Sequence, residues 1–228
     1  MTAPPRRDRA PCSTPASASS AAGSYAKAKA SKQLYLLKNS PTCLKKRVKL
    51  IGEKMKMTIA QIMKKMIAFS EGNIHDIDHL IRVWTYAKTI GELERLDEET
   101  QYILEAAAIT HDIACPLCRE KYGDTNGKHQ EAEGAELVKA FFSDTEMTEP
   151  QIERIAYLVG HHHTFAGINS LDWQILIEAD YIANATENGY GEANVRNFIQ
   201  KTMKTDSGKR LAKDVFCLKP ESQFYETN

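Results

Sequence analysis

The chain has 228 residues, 42% of them hydrophobic and 26% charged, enough for one domain with a real core. Its formal net charge of zero conceals a split: residues 1–56 carry 13 Lys/Arg and 2 Asp/Glu, so a head of +11 precedes a remainder of −11. No apolar run approaches a membrane span, and the five cysteines (Cys12, Cys43, Cys115, Cys118, Cys217) are an odd, scattered set, which argues against a disulfide framework and for a reducing cytoplasm.

Residues 1–54 are rich in Ala, Ser, Pro and Lys and bury too little apolar surface to offset their ordering entropy, so a disordered basic extension is expected there. Arg6, Arg7 and Arg9 among many serines resemble a transit peptide in composition, and the run Lys45 to Lys49 has the charge to touch nucleic acid. A solvated tail is the plainer reading.

From Thr58 the pattern turns helical. Ile59, Ile62, Met63, Met66 and Ile67 recur at spacings of three and four, as one apolar stripe. A second helix is predicted from Asp76 or Asp78 to Glu94, burying Leu80, Val83, Trp84, Ala87 and Ile90, and a third from its cap Asp97 to His111. A Pro- and Gly-bearing loop over residues 114–127 leads to a helix from Lys128 to Phe142, and Pro150 marks the first turn of another that ends near His162. Two more are expected over residues 171–188 and 192–204. The sum is one all-α bundle of six or seven helices over residues 55–215, with a tail at 216–228.

Four side chains of metal-ligating type sit on separate apolar helical segments: His79, the pair His111 and Asp112, and Asp180. Small apolar residues 106–109 precede His111 and Asp112, placing both at the buried end of a helix, where an unpaired carboxylate is costly and a cation would relieve it. Asp180 interrupts an apolar run in the same way. Two imidazoles and two carboxylates can hold one divalent ion and leave positions for water and a phosphate oxygen. The donor set suits Mn, Fe, Co, Ni, Zn or Mg without choosing among them.

The stretches His75 to Val83, Ala107 to Ile113 and Ile177 to Ile182 resemble the HD-domain phosphohydrolase superfamily, helical metalloenzymes marked by an ordered His, His-Asp, Asp set. The resemblance implies an HD-type helical bundle, metal held by His79, His111, Asp112 and Asp180, and hydrolysis of a phosphomonoester, phosphodiester or nucleotide. Asp112 would also serve the attacking water. Some binuclear members add a His pair and a further His; His161, His162, His163 and His129 lie near those positions. Gln130 stands where those members have the further His, and no Gly-Tyr-Pro follows His163, which departs from the cyclic-dinucleotide branch. One tightly held ion is expected, with a second allowed.

Arg82, Lys128 and a protonated His among His161 to His163 are candidates to offset phosphate charge. Glu178, two positions before Asp180, is expected to point away as an outer ion pair. Cys115 and Cys118 read as loop thiols, because no second cysteine pair completes a zinc site. Trp84, Tyr86 and Trp173 read as core. Lys201, Lys204, Lys209, Arg210 and Lys213 form either a solvated face or a cover for the pocket. The expected partner is a small phosphorylated substrate, with no membrane, with nucleic acid disfavoured and with self-association left open. Two rivals stand beside the enzyme: a metal-bearing nucleotide sensor without catalysis, and a nucleic-acid-associated protein led by the basic head. A di-iron oxygenase would show repeated Glu-x-x-His pairs, which the chain lacks.

Overall fold

The computed structural model describes residues 57–219; the expected disordered head, and the tail beyond residue 219, lie outside them. Nine helices make up the described residues: α1 (Ile59–Phe69), α2 (Ile74–Leu93), α3 (Glu98–Thr110), α4 (Cys115–Lys121), α5 (Gly127–Phe142), α6 (Glu149–Val159), α7 (Leu171–Glu187), α8 (Glu192–Lys201) and α9 (Asp206–Val215). There is no strand among them, and none of the helices is long and apolar enough to cross a membrane.

The bundle is organised around α3. Residues Leu104 to Thr110 are all buried, so the C-terminal half of this helix offers no solvent face, while its first turn is exposed at Glu98 and Glu99; the helix packs against α1, α2, α6 and α7. α2 and α7 pack on each other and on α3, while α5 pairs with α6. Caps fix where the helices begin. Thr58 and Gln61 close a capping box on α1, and Asp97 accepts from the amides of Glu99 and Thr100. Asn73 caps α2, so that helix starts ahead of the predicted Asp76 and carries both His75 and His79.

Two helices exceed the sequence expectation. α4 lies within the stretch read as a loop, and seven residues opened by Pro116 are too short to show a period. Cys115 and Cys118 are therefore buried helical thiols rather than loop thiols, and burial raises both thiol pKa values. α9 escaped because its buried face is Ser207, Gly208 and Ala212, with no large apolar stripe. α6 stops at Val159, earlier than expected, because the rings of His161 and His162 donate from Nδ1 to the carbonyls of Tyr157 and Val159 and close its end.

Glu178 corrects another expectation. It is fully buried and makes no outer ion pair; it accepts from Gln174 Nε2 (2.7 Å), from the amides of Lys204 (2.7 Å) and Thr205 (3.0 Å), and from the Thr205 hydroxyl. The carboxylate thus ties α7 to the first turn of α9. Gly208 is obligatory beside it, since a Cβ there would come within 2.0 Å of Glu178 Oε2. Trp84 is only partly buried and donates to Glu105, whereas Trp173 is core. Glu178→Ala should lower stability by about 3 kcal/mol in denaturant unfolding, because several buried donors lose their acceptor together, while metal content stays at the wild-type level.

Candidate metal centre

Three helices deliver the predicted ligands to one point. His79 comes from the middle of α2, His111 and Asp112 from the end of α3, and Asp180 from the buried length of α7. His79 Nε2 lies 3.1 Å from His111 Nε2 and 3.2 Å from Asp180 Oδ1, and His111 Nε2 lies 3.5 Å from that same oxygen. Donors each about 2.1 Å from a shared ion sit about 3.0 Å apart at a right angle and about 3.4 Å apart at the tetrahedral angle. The three separations therefore suit one cation.

Asp112 adjoins this group and a second one. Its Oδ2 is 3.6 Å from His79 Nε2, while its Oδ1 is 3.6 Å from His111 Nε2 and 3.5 Å from His162 Nε2. The ligating atoms form two sets, His79 with His111 and Asp180, and Asp112 with His162 and His163. Within each set they all lie within 4.8 Å of one another.

Hydrogen bonding fixes the rings so that lone pairs face inward. His79 donates from Nδ1 to Glu187 Oε2 (2.9 Å), His111 to the Ala108 carbonyl (2.8 Å) and His162 to the Val159 carbonyl (2.7 Å). With those protons committed, Nε2 of each ring is the free acceptor. Facing lone pairs on His79 and His111 repel unless a cation or proton lies between them. His163 Nε2 is buried with no hydrogen-bond partner, a cost of about 1–3 kcal/mol that coordination would offset, and His162 Nε2 is buried with only the Asp112 carboxylate near it, at 3.5 Å.

The charges follow the same geometry. Burial pulls the His79 pKa down, yet the hydrogen bond to Asp180 and the charges of Asp112, Asp180 and Glu187 outweigh it, raising the pKa from 6.5 to about 9. Burial would raise Asp112 and Asp180, but the adjoining imidazoles hold both carboxylates far below their usual range. His162 is raised against its burial, chiefly by Asp112. Burial and then the His162 charge, with ring centres 4.0 Å apart, lower His163 to about 4.

The other candidates are placed elsewhere. His129 stacks on Tyr122 and bonds Asp124 from Nδ1 (2.9 Å), and His161 stacks on Tyr157, so neither joins a ligand set. Arg82 is half exposed with Nε 3.8 Å from Glu187 Oε1, and Lys128 is exposed in the first turn of α5. Arg82, Lys128 and the basic residues of the C-terminal stretch do not line the cavity beside the cluster.

Two functional residues escaped the sequence reading. Asn184 donates to Asp180 Oδ1 (2.8 Å), and Glu187 orients His79. Both were signalled: 180, 184 and 187 are spaced as one face of a helix. Glu187→Ala should weaken metal binding about 10- to 100-fold, read by competition with a chelating dye, with helicity unchanged. Metal binding should also release protons. Coordination needs neutral imidazole, and metal-free His79 keeps its proton up to about pH 9, so affinity should rise as pH is raised from 6.5 to 9. Calorimetry in buffers of differing ionisation enthalpy counts those protons.

Residues 76–185 match the model of the HD domain family. The crystal structure of a predicted HD superfamily hydrolase from an uncultured Thermotogales bacterium superposes with a TM-score of 0.50, at 23% identity, over 70% of this chain and 83% of that one, a likeness of fold. No curated protein matches the chain. Residues 76–185 of this chain are an HD domain.

Proposed function

We propose that the protein is a metal-dependent phosphohydrolase cleaving a phosphomonoester or phosphodiester of a nucleotide or other small phosphorylated metabolite. The observation that carries this reading is the convergence of His79, His111 and Asp180 on one buried point, with Asp112 beside it. A divalent ion there would lower the pKa of a water and polarise a phosphoryl oxygen.

The chain's own residues supply the rest. His79, His111 and Asp180 hold their Nε2 and Oδ1 atoms in register through Glu187, Ala108 and Asn184. Asp112 is the ligand candidate most open to solvent, at 26% side-chain exposure against 7% for His79, 0% for His111 and 10% for Asp180. Its carboxylate is therefore the group placed to orient a water by accepting a hydrogen bond from it. His162 and His163, on the other side of Asp112, present buried nitrogens toward either a weaker second ion or a phosphoryl oxygen. The buried, unbridged Cys115 and Cys118 favour a reducing, cytoplasmic setting.

His111→Ala and Asp112→Ala should each abolish metal content and phosphate release while circular dichroism shows the helices retained. Elemental analysis and phosphate release across nucleotides, sugar phosphates and cyclic dinucleotides test this. Activity persisting in either variant would remove the site from the reaction. Metal-loaded protein that binds nucleotides and releases no phosphate would make it a sensor.

A further inference from the structure

Beside the ligand cluster lies a cavity of about 460 Å³ whose walls differ in kind from its floor. Asp180, His162 and His163 give it direct access to both ligand sets. The walls include four aromatic residues from four places in the chain: Phe165 from the turn after α6, Tyr181 from α7, Tyr190 from the α7–α8 connection and Phe198 from α8. Tyr181 and Phe198 form a parallel stack with centroids 3.5 Å apart and planes 2° apart. Tyr181 donates its hydroxyl to Asn194 Oδ1 (2.8 Å), which pins the stack in place before any ligand arrives. Phe165 meets Phe198 edge-on at 6.2 Å, and Tyr190 lies 6.0 Å from Tyr181.

Phe165 and Tyr190 stay 57% and 38% exposed, although large aromatic rings gain most from burial. A preformed stack with two open rings at its edge is a surface for a third planar ring. Charge points the same way: none of the ten lining residues is a lysine or arginine. A chain of phosphates lying along these walls would meet no lysine or arginine, whereas an uncharged ring would meet π-faces. The volume is within the range of small-molecule sites, about 300–1,000 Å³.

We propose that this cavity is the subsite for an uncharged, planar aromatic group carried by the leaving group of the substrate, with Phe165 and Tyr190 as specificity-determining residues. The placement of the phosphoryl group rests on the hydrolase reading above; the aromatic subsite rests on the cavity itself.

The test uses the full chain loaded with zinc or manganese and two probes of equal carbon count, 2-phenylethylphosphonate and 2-cyclohexylethylphosphonate. They share the phosphonate and nearly the same apolar area, and differ in the planar ring. The phenyl compound should bind about fivefold more tightly by calorimetry. In the double variant Phe165→Ala, Tyr190→Ala the ratio should fall toward one, while circular dichroism and metal content confirm an intact site. Equal affinities in the wild type, or a ring preference that survives both substitutions, would overturn the subsite. The corresponding phosphate esters, with matched alcohols as leaving groups, separate the two readings. Ring-selective binding without phosphate release leaves the subsite standing and removes the hydrolase, and phosphate release without ring selectivity does the reverse.

Discussion

Two imidazole nitrogens whose rings have already committed their protons face each other across 3.1 Å in the interior of this domain, with a carboxylate oxygen within 3.5 Å of both. That arrangement is unfavourable unless positive charge lies among the three atoms. The surrounding fold supports it. The C-terminal half of α3 is buried on every side and ends at His111, so the ring is held where water does not reach it. α2 and α7 pack on α3 and on each other, bringing His79 and Asp180 to the same depth.

Orientation comes from partners one step further out. Three imidazoles of the cluster have their Nδ1 bonds supplied by two kinds of group: a carboxylate for His79, and main-chain carbonyls near the ends of α3 and α6 for His111 and His162. The helix ends thus have two roles, since carbonyls with no intrahelical partner become the acceptors that fix the tautomer of the ligand rings. On α7, Asp180, Asn184 and Glu187 share one face, so a single helix offers a ligand candidate and the groups that aim two of the ligands. Glu178, on another side of α7, anchors the start of α9 and has no part in this cluster.

The helical fold was legible because apolar residues recur at three and four along α1 and α2, and because Asp97 and Pro150 mark helix starts. The ligand cluster was legible because His and Asp interrupt otherwise apolar helices, where an unpaired polar group would be expensive. What stayed hidden was of two kinds. α4 and α9 are too short or too small-sided to show a hydrophobic period, so their residues were read as a loop and as a basic stretch at the end of the domain. Second, sequence spacing ranks neighbours on one helix but not contacts between helices. His129 therefore looked equivalent to His162, although Tyr122 and Asp124 engage its ring at the surface. The aromatic wall was hidden for the same reason: Phe165, Tyr190 and Phe198 come together only after α7 and α8 have packed.

The account stands on a shared ion, and anomalous diffraction from crystals of the zinc- or manganese-loaded chain tests that most directly. A peak equidistant from His79 Nε2, His111 Nε2 and Asp180 Oδ1, at about 2.1 Å from each, is the predicted result. An ion bound elsewhere, or these three side chains turned apart with no peak between them, would contradict it.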